Sequence, residues 1–227
     1  VPVPADWNPD QYERFRKERS EPFFDLLELV RPVPGGRAID LGCGTGALTR
    51  VLHERLGAAE TLGIDSSPAM LERAAPFAGG GLRFELADIA TFTAERPFDV
   101  VFSNAALQWL PDHERLIQRV AALVAPGGQL AFQVPANADH PSHTIAHAVA
   151  REEPFASALG GYVRDWPVLA PERYAELLDG LGFADVHVRL QVYVHRLASS
   201  AEVAEWVRGT LLTDYERRLG PELYAQY

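Results

Sequence analysis

Residues 38 to 46 read Ala-Ile-Asp-Leu-Gly-Cys-Gly-Thr-Gly, and nineteen residues beyond Gly46 a second apolar run, Leu62-Gly63-Ile64, ends at Asp65. A strand that turns through glycines into a helix lets its backbone approach a ligand where a Cβ would stand in the way. The helix dipole and its free amides then face that ligand. Asp65, at the carboxyl edge of the neighbouring strand, stands where a carboxylate can accept both hydroxyls of a ribose. Together these features restrict the chain to a nucleoside-binding α/β domain.

The rest of the sequence fits that frame. Apolar positions at Phe23, Phe24, Leu26, Leu27 and Val30 predict a helix over 20–31, opened by Ser20 and Pro22 and stopped at Pro32. Strands are expected at about 38–41, 61–64, 83–86, 98–103 and 129–134, with helices at 46–56, 68–75 and 112–124 between them. That alternation means a parallel sheet covered on both faces. After Pro135 the pattern changes to an Ala-, His- and Pro-rich stretch, and helix returns at 171–181. Asp185 to Leu197 alternates apolar and polar residues, as two closing strands would, and the tail is an amphipathic helix around Trp206. The expected architecture is a doubly wound, mostly parallel seven-stranded sheet in a single domain, 1–227. An N-terminal flap, 1–20, and a small helical cap, 136–168 and 199–227, lie over the active site.

With 227 residues, 47% apolar and 23% charged, the chain can bury one good core and hardly two full domains. A formal charge of −10 and a single lysine, Lys17, argue against nucleic acid, which needs clustered cations. Apolar runs fall far short of the roughly 20 residues that span a bilayer. No charged-then-apolar leader opens the chain, so a cytoplasmic location is expected, although the first residue is not methionine. Cys43 is the only cysteine, which excludes an internal disulfide and a cysteine metal cage. His143 and His147 would share a helix face, but no H-E-x-x-H accompanies them and no metal is expected.

Which nucleoside is bound takes a further step. Gly42, Gly44 and Ala47 also satisfy G-x-G-x-x-A, so the turn alone leaves a dinucleotide and S-adenosylmethionine comparable. Asp40, inside the strand, can orient the turn and face the amino group of a bound amino acid. Asp88 followed by Ile89 at the end of the third strand suits the amino group and ring face of adenine. The Tyr-x-x-x-Lys pair that usually serves hydride transfer is missing from the domain, and so is a phosphate loop of the G-x-x-x-x-G-K type. S-adenosylmethionine is the better reading.

Asp40-Leu-Gly-Cys-Gly-Thr-Gly46, Gly63-Ile-Asp-Ser-Ser-Pro-Ala-Met-Leu71, Asp88 and Ala125-Pro-Gly-Gly128 resemble the class I S-adenosylmethionine-dependent methyltransferases. Asp6-Trp-Asn-Pro-x-x-Tyr12, Glu18-Arg19-Ser20, the run from Asn104 to His113 and Trp206 resemble, within that family, the enzymes that methylate trans-aconitate. The resemblance covers most of the chain and is weakest at 138–168. It implies that Gly42, Gly44 and Gly46 admit the methionine part, that Asp65 holds the ribose, and that Ser66, Met70, Asp88 and Ile89 surround the adenine. Asn104 would reach the methionine group.

A carboxylate acceptor is already ionised at neutral pH and needs no general base. Its spectator carboxylates need cations, for which arginine's fork is suited. The expected substrate residues are Arg19 and Arg164, with Gln133 and Asn137 as hydrogen-bond donors, Trp109 as a wall and Tyr193 beside His195. The partner is then a small anionic carboxylic acid and the coproduct S-adenosylhomocysteine. Two alternatives stay open: an O- or N-methyltransferase of the same fold using His140, His143 or His195 as a base, and a cofactor-binding subunit without turnover.

Overall fold

The computed structural model describes the backbone of residues 16–227 and the side chains of residues 20–227. The chain runs α1 (Arg16–Leu27), β1 (Arg37–Leu41), α2 (Ala47–Leu56), β2 (Glu60–Asp65), α3 (Pro68–Ala74), β3 (Leu82–Leu86), β4 (Phe98–Asn104), α4 (His113–Ala121) and β5 (Val124–Gln133). Then come α5 (Pro141–Val149), α6 (Phe155–Leu159), α7 (Pro171–Gly180), α8 (Ser200–Arg208) and α9 (Thr213–Tyr224). These residues form two compact units. The first comprises Lys17–Pro135 and Pro167–Gln191, the second Ala136–Trp166 and Val192–Tyr227.

The first unit is built on a five-stranded parallel sheet in the order β3-β2-β1-β4-β5. The period-two alternation of the strands splits its core into two layers. Ile39, Leu41, Leu62, Ile64 and Val101 pack with Leu116, Ile117 and Val120 of α4 and Tyr174 of α7. Ala38, Val100 and Phe102, one residue out of phase, pack with Phe23 and Leu27 of α1 and Leu52 and Leu56 of α2. The order reverses between β1 and β4, so their carboxyl ends open the crevice in which doubly wound folds bind ligands.

Three expectations need correction. Among the described residues the sheet has five strands, not seven. Asp185 to Leu197 forms no strand, because alternation alone cannot hold an extended chain without a neighbour's hydrogen bonds. Leu190, Val192 and Val194 are instead 65%, 75% and 82% exposed. Pro22 lies inside α1 rather than opening it, since the helix begins at Arg16. Finally, β5 starts at Val124 and takes in Pro126-Gly127-Gly128. Gly127 (φ 76°) absorbs a register shift in which Phe98 faces Val124 but Val100 faces Gln129.

The second unit has its own core. Ala146 of α5 and Ala150 just beyond it, Phe155 and Leu159 of α6, Val207 and Leu211, and Tyr215 of α9 are buried together. Tyr227 fixes the end of the chain by donating from its hydroxyl to the Ala146 carbonyl at 2.6 Å. No helix among the described residues is long and apolar enough to cross a membrane.

Candidate functional site

At the carboxyl end of β1 the chain folds back on itself. The amides of Gly42 and Cys43 both donate to the Ile64 carbonyl of β2, each at 2.9 Å, and Gly42, Gly44 and Gly46 have φ of 82°, 54° and 75°. These left-handed values favour glycine. Space decides the rest: a Cβ on Gly42 would lie 2.2 Å from the Ala106 Cβ, and one on Gly46 2.7 Å from Ala74 and Phe84. Gly44 differs, because a Cβ there meets nothing within 4 Å. Its missing side chain leaves one face of the turn open.

Asp65 braces this turn. One carboxylate oxygen accepts from the Gly44 amide and the other from the Ser67 amide, both at 2.9 Å. Burial raises its pKa, and the amides of Ser67, Gly44 and Ser66 partly offset that. Three amides on a carboxylate with about four acceptor positions leave a lone pair for a ribose hydroxyl. Asp40 is more deeply enclosed. The Thr49 hydroxyl donates to it at 2.6 Å, and burial, together with the Asp65 charge, lifts its pKa to about 7 despite that bond. Burial first, and then the charges of Asp40 and Asp65, push the Cys43 thiol pKa far up, so it fills space as an inert small residue.

The β4 and β5 ends supply acceptors. The side-chain oxygens of Asn104 and Gln133, opposite each other in the ladder, are buried and find no hydrogen-bond partner among the described residues. Native folds leave few such groups, and each requires an explanation. A ligand ammonium would satisfy both. Ala105 then takes φ 53°, unusual for a residue with a Cβ, while its amide donates to the Gln133 carbonyl at 3.0 Å. That turn carries Ala106 onto Gly42. Ile89 comes to the same place, its Cδ1 3.7 Å from the position of a Gly42 Cβ. An open glycine face, a braced carboxylate, an apolar wall and two orphaned acceptors fit the methionine, ribose and adenine parts of S-adenosylmethionine.

The remaining sequence candidates divide. Ser66 is exposed, and Ser67 caps α3 by accepting from the Met70 amide at 3.4 Å. Met70 is buried, whereas Asp88 is exposed and folds back to accept from the Ala90 amide at 2.8 Å. Trp109 sits half-buried in a short turn, Leu107–Trp109, whose neighbours Leu107 and Leu110 go into the core. In the second unit Asn137 is exposed, Tyr193 is half-buried outside any strand, and the His195 ring lies 4.7 Å from that of Trp206. Arg164 is drawn inside that unit, donating to the carbonyls of Thr210 at 3.1 Å and Leu211 at 3.4 Å, with Asp214 3.8 Å away. The Arg19 side chain lies outside the described residues, as do residues 1–15.

Sequence reasoning did not single out four buried polar residues. Thr49, one turn into α2, is the partner of Asp40. Gln108 is buried, donating from its amide to the Ala105 carbonyl at 2.7 Å. His113 and Tyr174 form a buried pair. The Tyr174 hydroxyl meets His113 Nδ1 and accepts from the Leu169 amide at 3.2 Å, and His113 Nε2 reaches the Leu107 carbonyl at 3.1 Å. The run from Asn104 to His113 contained two of these residues, but nothing in it marks their partners on distant segments.

Residues 38–128 match the family described as a methyltransferase domain. The trans-aconitate 2-methyltransferase of Deinococcus radiodurans is 47% identical, over 94% of this chain and 83% of that protein. The enzyme of the same name from Methylobacterium radiotolerans is 45% identical, over 98% and 86%. Among solved structures, the complex between the Haloferax volcanii Trm112 methyltransferase activator and a methyltransferase matches 92% of this chain and 93% of that one. Its TM-score is 0.62 at 19% identity, a likeness of fold alone.

Proposed function

Because the chain belongs to the trans-aconitate 2-methyltransferase family of S-adenosylmethionine-dependent methyltransferases, we propose that it methylates a carboxylate of trans-aconitate or a closely related small polycarboxylic acid, releasing the ester and S-adenosylhomocysteine. The observation that carries this reading is the extent of the likeness. Identity of 43–47% runs through 94–98% of the chain, far outside the 38–128 segment that holds the cofactor fold.

S-adenosylmethionine supplies an electrophilic methyl on a sulfonium. The chemistry asks little acid or base work of the protein, since a carboxylate oxygen displaces the sulfur in line and both charges vanish in the product. What the protein supplies is alignment and removal of water. In this reading Asp65 holds the ribose. Gly42, Gly44 and Gly46 keep the turn low enough for the methionine part to lie on it. Asn104 and Gln133 receive the α-ammonium group, and Ile89 lies against the adenine. Arg19, Trp109, Asn137 and Tyr193 remain proposed contacts of the acid.

The test is turnover with methyl-labelled S-adenosylmethionine against trans-aconitate, other di- and tricarboxylates, alcohols and amines. Base-labile label in an acid product is expected. Label confined to an alcohol or amine would overturn the carboxylate reading, and cofactor binding without transfer would point to a subunit that only binds it.

A further inference from the structure

The second unit contains two buried polar nitrogens whose hydrogen bonds its own fold does not supply. His143 and His147 lie one turn apart on α5, on the same face. The His143 ring meets the edge of Trp166, with centroids 5.3 Å apart. Ser142 Oγ bridges His140 Nδ1 at 2.8 Å and His143 Nδ1 at 3.1 Å, which fixes the first turn of the helix. In contrast, Trp166 Nε1 and His147 Nε2 are buried and find no partner among the described residues.

The chemistry of these atoms selects the ligand. An indole N–H can only donate, so its missing partner is an acceptor. A cation is disfavoured further, because burial first, and the charge of Arg164 after it, depress the proton affinity of both His143 and His147. No metal-holding group of His, Cys, Asp or Glu occurs among the described residues. Asp214 takes the Arg164 charge in part, but it is shared with Arg217 and with the Tyr162 hydroxyl, and Arg218 stacks on the Tyr162 ring at 3.7 Å. Arg164 and Arg217 therefore share one carboxylate, with Arg218 beyond it on the Tyr162 ring.

We propose that Trp166 Nε1–H and the Nε2-protonated tautomer of His147, in the positive field of Arg164, form a carboxylate-receiving site carried wholly by the second unit. This deepens the function proposed above and rests on it only for the identity of the acid. Trp166 and His147 are then the direct contacts. Arg164 acts as a positioning residue, holding its charge near the site through the Thr210 and Leu211 carbonyls rather than reaching the acid.

The test is a nitrogen-15 spectrum of the indole N–H groups of the full chain, with the Trp166 signal assigned by its disappearance in Trp166→Phe. Trans-aconitate is added in the presence of S-adenosylhomocysteine, and turnover is measured in parallel on the wild-type protein. The Trp166 N–H signal is expected to move downfield with saturation. His147→Leu is expected to raise the KM for the acid about tenfold with kcat and the KM for S-adenosylmethionine little changed, as loss of one hydrogen bond to a charged group implies. His147→Gln, which restores a donor, should recover part of that loss. An unmoved Trp166 signal in a protein that turns over trans-aconitate overturns the site and leaves the function standing. Absence of turnover together with a signal unmoved by the acid overturns both.

Discussion

Replacing Asp40 by asparagine removes a buried charge and keeps an oxygen for the Thr49 hydroxyl to donate to, so the substitution isolates the cost of that charge. Burial lifts the Asp40 pKa from an ordinary 3.8 to about 7. The folded protein therefore holds this proton more tightly than the unfolded chain does. Such a group contributes stability that is fully present below about pH 4 and is lost as the pH rises through 7. Each tenfold change in proton affinity corresponds to about 1.4 kcal/mol, which puts the loss at roughly 4 kcal/mol, with about 2 kcal/mol as a conservative figure after local relaxation. Asp40→Asn should exceed the wild type by about 1 kcal/mol near pH 4.5, where the unfolded carboxyl is already mostly ionised, and by at least about 2 kcal/mol at pH 8. Urea unfolding followed by tryptophan fluorescence at pH 4.5, 6 and 8 measures this. Because the other titrating groups are common to both proteins, their contributions cancel in the difference, apart from Asp65, which the neutral residue relieves of a neighbouring charge. Stability profiles that run parallel from pH 5 to pH 8 would refute the reasoning. Asp40 would then be ionised in the fold at little cost.

Other substitutions separate folding from binding. Gly44→Ala meets no atom within 4 Å and should cost the fold about 1 kcal/mol through its left-handed φ. Its methyl would fill the open face of the turn and weaken S-adenosylmethionine binding by about tenfold or more, read by calorimetry. Gly42→Ala should instead lower the melting temperature outright, because its Cβ lies 2.2 Å from that of Ala106. Asn104→Leu removes an orphaned buried oxygen, so the ligand-free protein should be at least as stable as wild type while cofactor affinity falls; unchanged affinity would exclude Asn104 from the site. Tyr174→Phe strips His113 Nδ1 and the Leu169 amide of their partner and should cost about 1–3 kcal/mol in urea unfolding, with no loss if that pair is incidental.

Five strands, the glycine turn and the acid after β2 could be read directly from the residues, because each depends on local chemistry. Apolar runs bounded by turns specify buried parallel strands, and three glycines at alternate positions specify a backbone that turns through left-handed conformations. Asp65 was legible for the same reason, since its position is fixed by the strand that ends at it. The seven-strand expectation failed at Asp185 to Leu197. Alternation there satisfies the local requirement for a strand, but pairing is supplied by a neighbour that a sequence does not specify.

The tertiary structure alone decided which polar groups are satisfied and which are left over. Asp40 takes its raised pKa from burial and from the charge of Asp65 twenty-five residues on, against the hydrogen bond from Thr49, which lowers it. The His113–Tyr174 pair joins segments sixty-one residues apart. Asn104 and Gln133 become a matched pair of orphaned acceptors only because β4 and β5 are neighbours in register. Arg164, a plausible carboxylate receiver by residue type, turned out to be occupied by Asp214 and backbone carbonyls, while the unsatisfied nitrogens in the same unit were those of Trp166 and His147. A sequence states which groups can bond. Whether a bond remains to be made depends on distances between segments far apart along the chain, and the fold alone sets those.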